Sequence, residues 1–75
     1  MLNIEKTNNL YFITSRGEYR LLCENVTRDG AYKAILGFLQ AHNFKHYYTR
    51  TWSNEWGVMF DVGSHTEFFL WGKKE

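Results

Sequence analysis

One stretch of helical periodicity, set between two stretches of strand character, limits this chain to a single-helix fold. Between Arg28 and His42, apolar residues recur at three- and four-residue spacing, which is the pattern of a helix with one buried face. These residues are Ala31, Ala34, Ile35, Phe38 and Leu39. Thr27 supplies an N-cap hydroxyl, and Asn43 tolerates the left-handed conformation that ends many helices. One helix can shield only one face of a sheet, so the other face meets water or a partner.

Five segments around this helix have the aromatic and β-branched composition of strands. They are residues 10–14, 19–26, 44–52, 56–62 and 67–71. Turn residues separate the first two, and Ser53-Asn54-Glu55 forms a short hairpin loop between the third and the fourth. The sequence therefore predicts an α+β fold in which one helix packs on a four- or five-stranded antiparallel sheet, in the order ββαββ(β).

The length of 75 residues allows one hydrophobic core. We predict a single small domain over residues 1–75, with loose ends at about 1–8 and 72–75. No apolar run approaches the length of about 18 residues that spans a bilayer. The lone cysteine, Cys23, cannot form an internal disulfide, which is typical of a reducing compartment. We therefore expect a cytoplasmic protein.

The charge leaves the class of partner open. Nine Lys or Arg residues against eight Asp or Glu residues give a net charge of +1. A dedicated nucleic-acid binder carries a strong cationic field, and a nucleic-acid mimic carries a strong anionic one. This chain has neither field.

Asp61, Ser64 and His65 lie close together in the sequence, which raises the hypothesis of a hydrolase. A catalytic triad also needs a base oriented by a third group and a separate oxyanion hole, and the Gly-x-Ser-x-Gly nucleophile turn is missing. The hydroxyls of Ser64 and Thr66 instead fit turn hydrogen bonds, with Gly63 supplying a positive φ. We expect no catalytic residue and no enzymatic activity.

The candidate metal ligands are scattered along the sequence. They are Cys23, His42, His46 and His65. Their spacing matches no paired zinc-ligand motif, and the phosphate-loop and dinucleotide fingerprints are also missing. The sequence predicts neither a metal site nor a cofactor.

Cations alternate with aromatic rings from Lys45 to Trp52, on the predicted third strand. The plainer interpretation is a half-buried strand whose polar side tolerates water. The functional interpretation is a contact face, because exposed Trp, Tyr and Arg dominate protein interfaces. Strand alternation puts Arg50 and Trp52 on one face, and the turn at residues 63–66 offers a second contact surface. The predicted partner-binding residues are Tyr47, Arg50, Trp52, Trp56, Ser64 and His65.

Two other binding functions remain open. In sheet-based single-strand binders, bases stack on exposed rings while Lys and Arg hold phosphates. The residues predicted for single-stranded nucleic-acid binding are Lys45, Tyr47, Arg50 and Arg20. The third hypothesis is an oligomer that sequesters a nucleotide signal in a pocket between its subunits.

Two segments, mainly in the C-terminal half, carry a resemblance to a known group of proteins. They are Tyr47-Tyr48-Thr49-Arg50-Thr51-Trp52 and Asp61-Val62-Gly63-Ser64-His65-Thr66-Glu67-Phe68-Phe69. The chain resembles small uncharacterised accessory proteins of phages and prophages of Gram-positive bacteria, several of which modify host machinery or blunt host defences. The resemblance implies a phage accessory protein that binds and modulates a host protein, for example a defence component, in the host cytoplasm.

The free edges of a short sheet predict one further contact. An unpaired edge strand exposes backbone N–H and C=O groups with which another chain can pair. We therefore predict a homodimer, formed through an edge strand or through the exposed face of the sheet.

Overall fold

The computed structural model describes residues 6–63 and 68–73, which form one helix on a five-stranded antiparallel sheet. In chain order the elements are β1 (Asn8–Ile13), β2 (Tyr19–Val26), α1 (Arg28–Ala41), β3 (Arg50–Asn54), β4 (Gly57–Asp61) and β5 (Phe68–Gly72). The strands are arranged β2-β1-β5-β4-β3, so the pairing of β1 with β5 joins two hairpins. This architecture confirms the predicted fold class and the fifth strand. Asn8 and Gly72, which the predicted loose ends included, both pair within the sheet.

Helix α1 begins and ends where its local signals predict. The Thr27 hydroxyl accepts a hydrogen bond from the Gly30 N–H at 3.1 Å, which satisfies one of the unpaired donors of the first turn. At the other end, Asn43 has a φ of 57°, the left-handed conformation expected there. The buried stripe of the helix consists of Ala31, Ile35 and Leu39.

The face of the sheet that α1 covers carries the main core. The strands contribute buried residues Leu10, Phe60, Phe69 and Trp71, together with Val62 just beyond β4. The buried indole needs a partner for its N–H, and Trp71 Nε1 donates to the Val26 carbonyl oxygen at 2.8 Å. This bond ties β5 to the junction between β2 and α1.

The opposite face carries a smaller core that α1 does not cover. Two rows of paired residues cross all five strands on this face. One row is Trp52, Met59, Leu70, Tyr11 and Leu21, and the other is Arg50, Asp61, Phe68, Ile13 and Tyr19. Ile13, Met59 and Leu70 are buried because aromatic neighbours, Trp56 among them, pack around them. The outer ends of the first row stay in water, with Trp52 41% and Leu21 50% exposed.

The third strand is shorter than predicted, because residues 44–49 are not part of the sheet. Residues 44–49 connect the end of α1 to β3 at the sheet edge. Their backbone hydrogen bonds are made outside the sheet. The Phe44 N–H donates to the Leu39 carbonyl oxygen at 2.9 Å, and His46 Nε2 lies 2.6 Å from Thr49 Oγ1. Tertiary contacts therefore decide the conformation of this segment, although its aromatic residues have a high strand propensity.

The following hairpin turn also differs from the prediction. Glu55 and Trp56 form the turn, rather than Ser53-Asn54-Glu55. The Asn54 side-chain oxygen accepts hydrogen bonds from the backbone N–H groups of Trp56 and Gly57, at 2.9 and 3.0 Å. Asn54 thus organises the turn through its own side chain while it still pairs within β3.

Simple alternation fails in β2 because that strand is bulged. Leu10 pairs with Cys23 and Tyr11 pairs with Leu21, which leaves Leu22 as an extra residue. As a result, Leu22 and Cys23 both pack against the covered core. A second irregularity follows toward Val26, where Asn25 has a φ of 55°.

Gly57 and Gly72 pair directly across β4 and β5, at a point where the two backbones approach closely. A methyl group on either glycine would overlap a backbone carbonyl oxygen, that of Trp71 for Gly57 and that of Trp56 for Gly72. Gly57 also has a φ of 151°, which other residues rarely adopt. Both positions therefore require glycine.

We expect Gly72→Ala to lower the free energy of unfolding by about 2 kcal/mol, because the β4 or β5 backbone must shift to admit the methyl group. Gly37→Ala is the matched control, since a methyl group at this helical glycine meets open space and should stabilise the protein by about 0.5–1 kcal/mol. Urea denaturation of both variants measures the difference. Equal stability of Gly72→Ala and the wild type would contradict the close approach.

Candidate protein-binding site

Four exposed side chains at the β3 edge form the best candidate for a binding site. They are Tyr47, Tyr48, Arg50 and Trp52, which we call the β3 cluster. Arg50 and Trp52 project from β3 on the face that α1 leaves uncovered, and the two tyrosines come from the segment that leads into the strand. Tyr47 is 65% exposed, the largest exposure among the large apolar or aromatic side chains of the described residues.

The two tyrosines are held against the end of β4 by backbone contacts. The Tyr47 N–H donates to the Val62 carbonyl oxygen at 3.0 Å, and the Tyr48 N–H lies 3.5 Å from the same oxygen. Gly63 makes this packing possible. Its φ is +87°, and a Cβ atom there would lie 2.7 Å from the Tyr47 Cβ and 3.0 Å from the Tyr48 ring. The backbone of the tyrosine segment is therefore held against the end of β4.

Asp61 is the buried anchor of the cluster. Its side chain is only 7% exposed, and its Oδ2 accepts from Arg50 Nη2 at 2.8 Å. The same oxygen lies 3.5 Å from the Tyr48 hydroxyl, and Oδ1 accepts from the Gly63 N–H at 2.9 Å. One carboxylate thus links the strand, the tyrosine segment and the end of β4 through charge-assisted hydrogen bonds.

The Arg50 guanidinium is held by Asp61 but remains open to water. The Arg50 side chain is 66% exposed, and its Cζ lies 5.6 Å from the centre of the Trp52 ring, within the range of a cation–π interaction. The Trp52 ring in turn meets Phe68 edge-on, with the ring centres 6.2 Å apart. The cluster therefore offers a fixed cation beside a supported aromatic surface.

The structure separates the predicted site residues into groups. Tyr47, Arg50 and Trp52 lie on β3 or on the segment that leads into it, whereas Trp56 packs on the small core around Leu70 and contacts Tyr19 edge-on at 6.2 Å. Ser64 and His65, and the rest of the predicted contact turn at 63–66 after Gly63, lie outside the described residues.

The residues predicted for nucleic-acid binding are also divided. Lys45 is exposed on the segment that leads to the β3 cluster. Arg20 lies on β2, the opposite edge strand, where it pairs with Glu18 at 3.5 Å. Four strand spacings separate β2 from β3, or about 19 Å, so Arg20 and Arg50 do not form one site.

Two members of the site are absent from the predicted contact set. The sequence places Tyr48 on the third strand without predicting a contact for it, and its functional hypothesis for Asp61 is a catalytic triad. The position of Asp61 depends on the turn, because only the observed two-residue turn at Glu55-Trp56 puts residue 61 opposite residue 50, and the predicted turn at Ser53-Asn54-Glu55 does not. A carboxylate opposite an arginine on an otherwise apolar strand indicates a cross-strand ion pair.

Comparisons with known proteins do not place the chain in a family. A scan against protein-family models, a search of curated proteins and a search of solved structures each found no match.

Within residues 6–63 and 68–73, no helix has the length and apolar character needed to cross a membrane. In the same ranges, no three His, Cys, Asp or Glu side chains are grouped to hold a metal ion.

We expect Arg50→Ala to lower the free energy of unfolding by about 1–2 kcal/mol, because it leaves the buried Asp61 carboxylate without its cation. The cost stays below that of breaking a fully buried pair because Arg50 is largely in water. Arg20→Ala is the matched control. It removes an exposed arginine from the other edge strand, and we expect a change within about 0.5 kcal/mol.

Adding Asp61→Asn to Arg50→Ala should recover part of the lost stability, because the uncompensated charge is then gone. Urea denaturation of the single and double variants measures this coupling. Strictly additive effects would show that the two side chains do not interact.

Proposed function

We propose that this chain is a non-enzymatic, phage-type accessory protein that binds a host protein through the β3 cluster and modulates it. The host cytoplasm is its place of action, and a defence component is a partner of the kind that the resemblance implies. The observation that carries the proposal is the exposure of Tyr47, Tyr48, Arg50 and Trp52 on β3 and on the segment that leads into this edge strand.

The composition of the cluster supports a protein as the partner. Tryptophan, tyrosine and arginine are the residues most enriched at the energetic centres of protein interfaces. Their conformations are already restricted here, because Asp61 holds Arg50 and Phe68 supports Trp52. A side chain that is ordered before binding loses less entropy on binding, so the same contacts give a higher affinity.

We expect Trp52→Ala to weaken binding of the host partner by about 30-fold or more, the loss typical of a central interface residue. Leu21→Ala is the matched control, because it truncates an exposed apolar side chain in the same cross-strand row at the opposite edge. The partner is first captured from a Gram-positive host lysate and identified by mass spectrometry. Its affinity for the wild type and both variants is then measured with the purified partner.

The proposal fails if every captured protein binds Trp52→Ala and the wild type equally well. It also fails if Leu21→Ala reduces binding as much as Trp52→Ala does. Circular dichroism of each variant confirms that a loss of binding does not reflect unfolding.

Single-stranded nucleic-acid binding is the second candidate function, favoured by the exposed Lys45, Tyr47 and Arg50 on one continuous segment. Under this function, affinity for a labelled oligonucleotide falls with salt, by roughly 0.7 log units per log unit of salt for each phosphate neutralised. Arg50→Ala then reduces the slope by about that amount, while Arg20→Ala on the far edge leaves it unchanged. Fluorescence anisotropy over a salt series measures the slope, and absent binding at low salt rejects this function.

A further inference from the structure

The two edges of the sheet differ in their readiness to pair with another strand. The β2 edge carries two register irregularities, the positive φ of Asn25 and the charged residues Arg20 and Glu24. Bulges and charges of this kind discourage edge-to-edge pairing. The β3 edge has an unbroken register with β4 and contains no proline, and all five of its residues are exposed. Its one charged residue, Arg50, is paired with Asp61. Only β3 is therefore an open edge among the strands of the described chain.

The backbone groups that β3 presents to solvent follow from the hydrogen bonding of β4. The Lys73 N–H donates to the Trp56 carbonyl oxygen at 2.9 Å, so these two residues form a hydrogen-bonded pair between β4 and β5 at the end of the ladder. Hydrogen-bonded pairs alternate along an antiparallel ladder. The backbones of Val58 and Phe60 consequently face β5, and those of Gly57, Met59 and Asp61 face β3.

The same alternation fixes the direction of each β3 residue. Arg50, Trp52 and Asn54 pair with the β4 residues whose backbones face them, so the N–H and C=O groups of Thr51 and Ser53 point away from the sheet. Within the described part of the chain, no hydrogen bond uses the backbone of Thr51 or Ser53 apart from the strand ladders. The edge therefore carries two donors and two acceptors in a row of regular register.

We infer that a second copy of this chain pairs with this edge, with the two β3 strands antiparallel and Trp52 opposite Trp52. This register lets Thr51 and Ser53 of each copy exchange backbone hydrogen bonds with Ser53 and Thr51 of the other. It also places all five residues of one β3 opposite all five of its partner.

The side chains of β3 match a copy of themselves in this register. The two tryptophans form a pair without direct backbone bonds, in which side chains approach most closely and aromatic pairs are favourable. Thr51, whose hydroxyl accepts a hydrogen bond from Arg28 Nη2 at 3.2 Å, lies opposite Ser53, and Arg50 lies opposite the neutral Asn54. The charge of each Arg50 is already balanced by its own Asp61 at 2.8 Å. Among the five β3 residues themselves, no two like charges lie directly opposite each other.

The pairing goes beyond the proposed host-binding function and does not require it. It makes one ten-stranded sheet whose uncovered faces are continuous, so that both β3 clusters lie on the same side. A contact between two five-residue strands falls in the class of small, weak interfaces. We therefore expect a concentration-dependent dimer rather than an obligate one.

The test is the mass of the full chain in solution over a concentration series extending to about 1 mM, the weak end of the affinity scale. Sedimentation equilibrium should show the weight-average mass rising from the 9.0 kDa monomer toward twice that value. Ser53→Pro should remain monomeric, because it deletes an outward N–H that β4 does not use, and proline is tolerated at that position of an edge strand. Ser53→Ala keeps the N–H and should dimerise as the wild type does.

A wild type that stays at the monomer mass throughout overturns the inference. So does a Ser53→Pro variant that dimerises as well as Ser53→Ala, since another surface then carries the contact. If circular dichroism shows that Ser53→Pro is unfolded, Trp52→Glu replaces it. That variant sets two carboxylates opposite each other in the dimer and should be monomeric.

Cysteine cross-linking tests the register separately. In a Cys23→Ala background, Trp52→Cys should form an intermolecular disulfide, because Cα atoms of such a pair lie about 4.5 Å apart and disulfides need roughly 4.4–6.8 Å. Glu55→Cys is the control, since residue 55 is exposed and its two copies lie beyond opposite ends of the paired strands. Preferential cross-linking at residue 55 overturns the register. Failure of these tests leaves the Leu21 and Trp52 comparison for host binding unaffected, so the two proposals are distinguished.

Discussion

A single 14-residue helix covers one face of five strands, and the rest of the structure depends on how the other face is completed. The covered face is closed by the helix and by buried residues of every central strand. The uncovered face has no such layer, so its own aromatic side chains must exclude water from Met59 and Leu70. Trp56, carried by a hairpin turn, is one of the rings that do so. The small core on this face therefore consists only of side chains of the sheet and its turns, without a covering helix.

The aromatic side chains of the uncovered face bury residues at the middle of the sheet but not at its edges. Leu70, on the central strand, is fully buried, whereas Leu21 and Trp52 at the two ends of the same row are about half exposed. An edge residue has neighbours on one side only, so no arrangement of a single layer can bury it. The exposed cluster on β3 is thus a direct result of the same shortage of covering elements, and Asp61 and Gly63 then give it a defined geometry.

The parts of the fold that the sequence predicts well are those set by local signals. The N-cap at Thr27, the end of the helix near Asn43 and the bounds of β2 all follow from neighbouring residues. The path of residues 44–49 and the bulge at Leu22 depend on contacts with distant parts of the chain, and periodicity carries no information about those contacts. At the site, alternation correctly put Arg50 and Trp52 on one face. The contact of Tyr47 and Tyr48 with Gly63 could not be predicted, because it depends on the course of residues 44–49 in the folded chain.

The pairing of β1 with β5 has a consequence for how the domain forms. Each of the flanking hairpins, β1–β2 and β3–β4, is local and can close early, but the strands that unite them come from opposite ends of the described chain. Joining them closes a long loop, whose entropy must be lost before most of the core is gained. We therefore expect the pairing of β1 with β5 to be the slow step of folding, and until it forms both hairpins expose strands to other chains. The bulges and charges of β2 reduce pairing of this outer strand with other chains during that time.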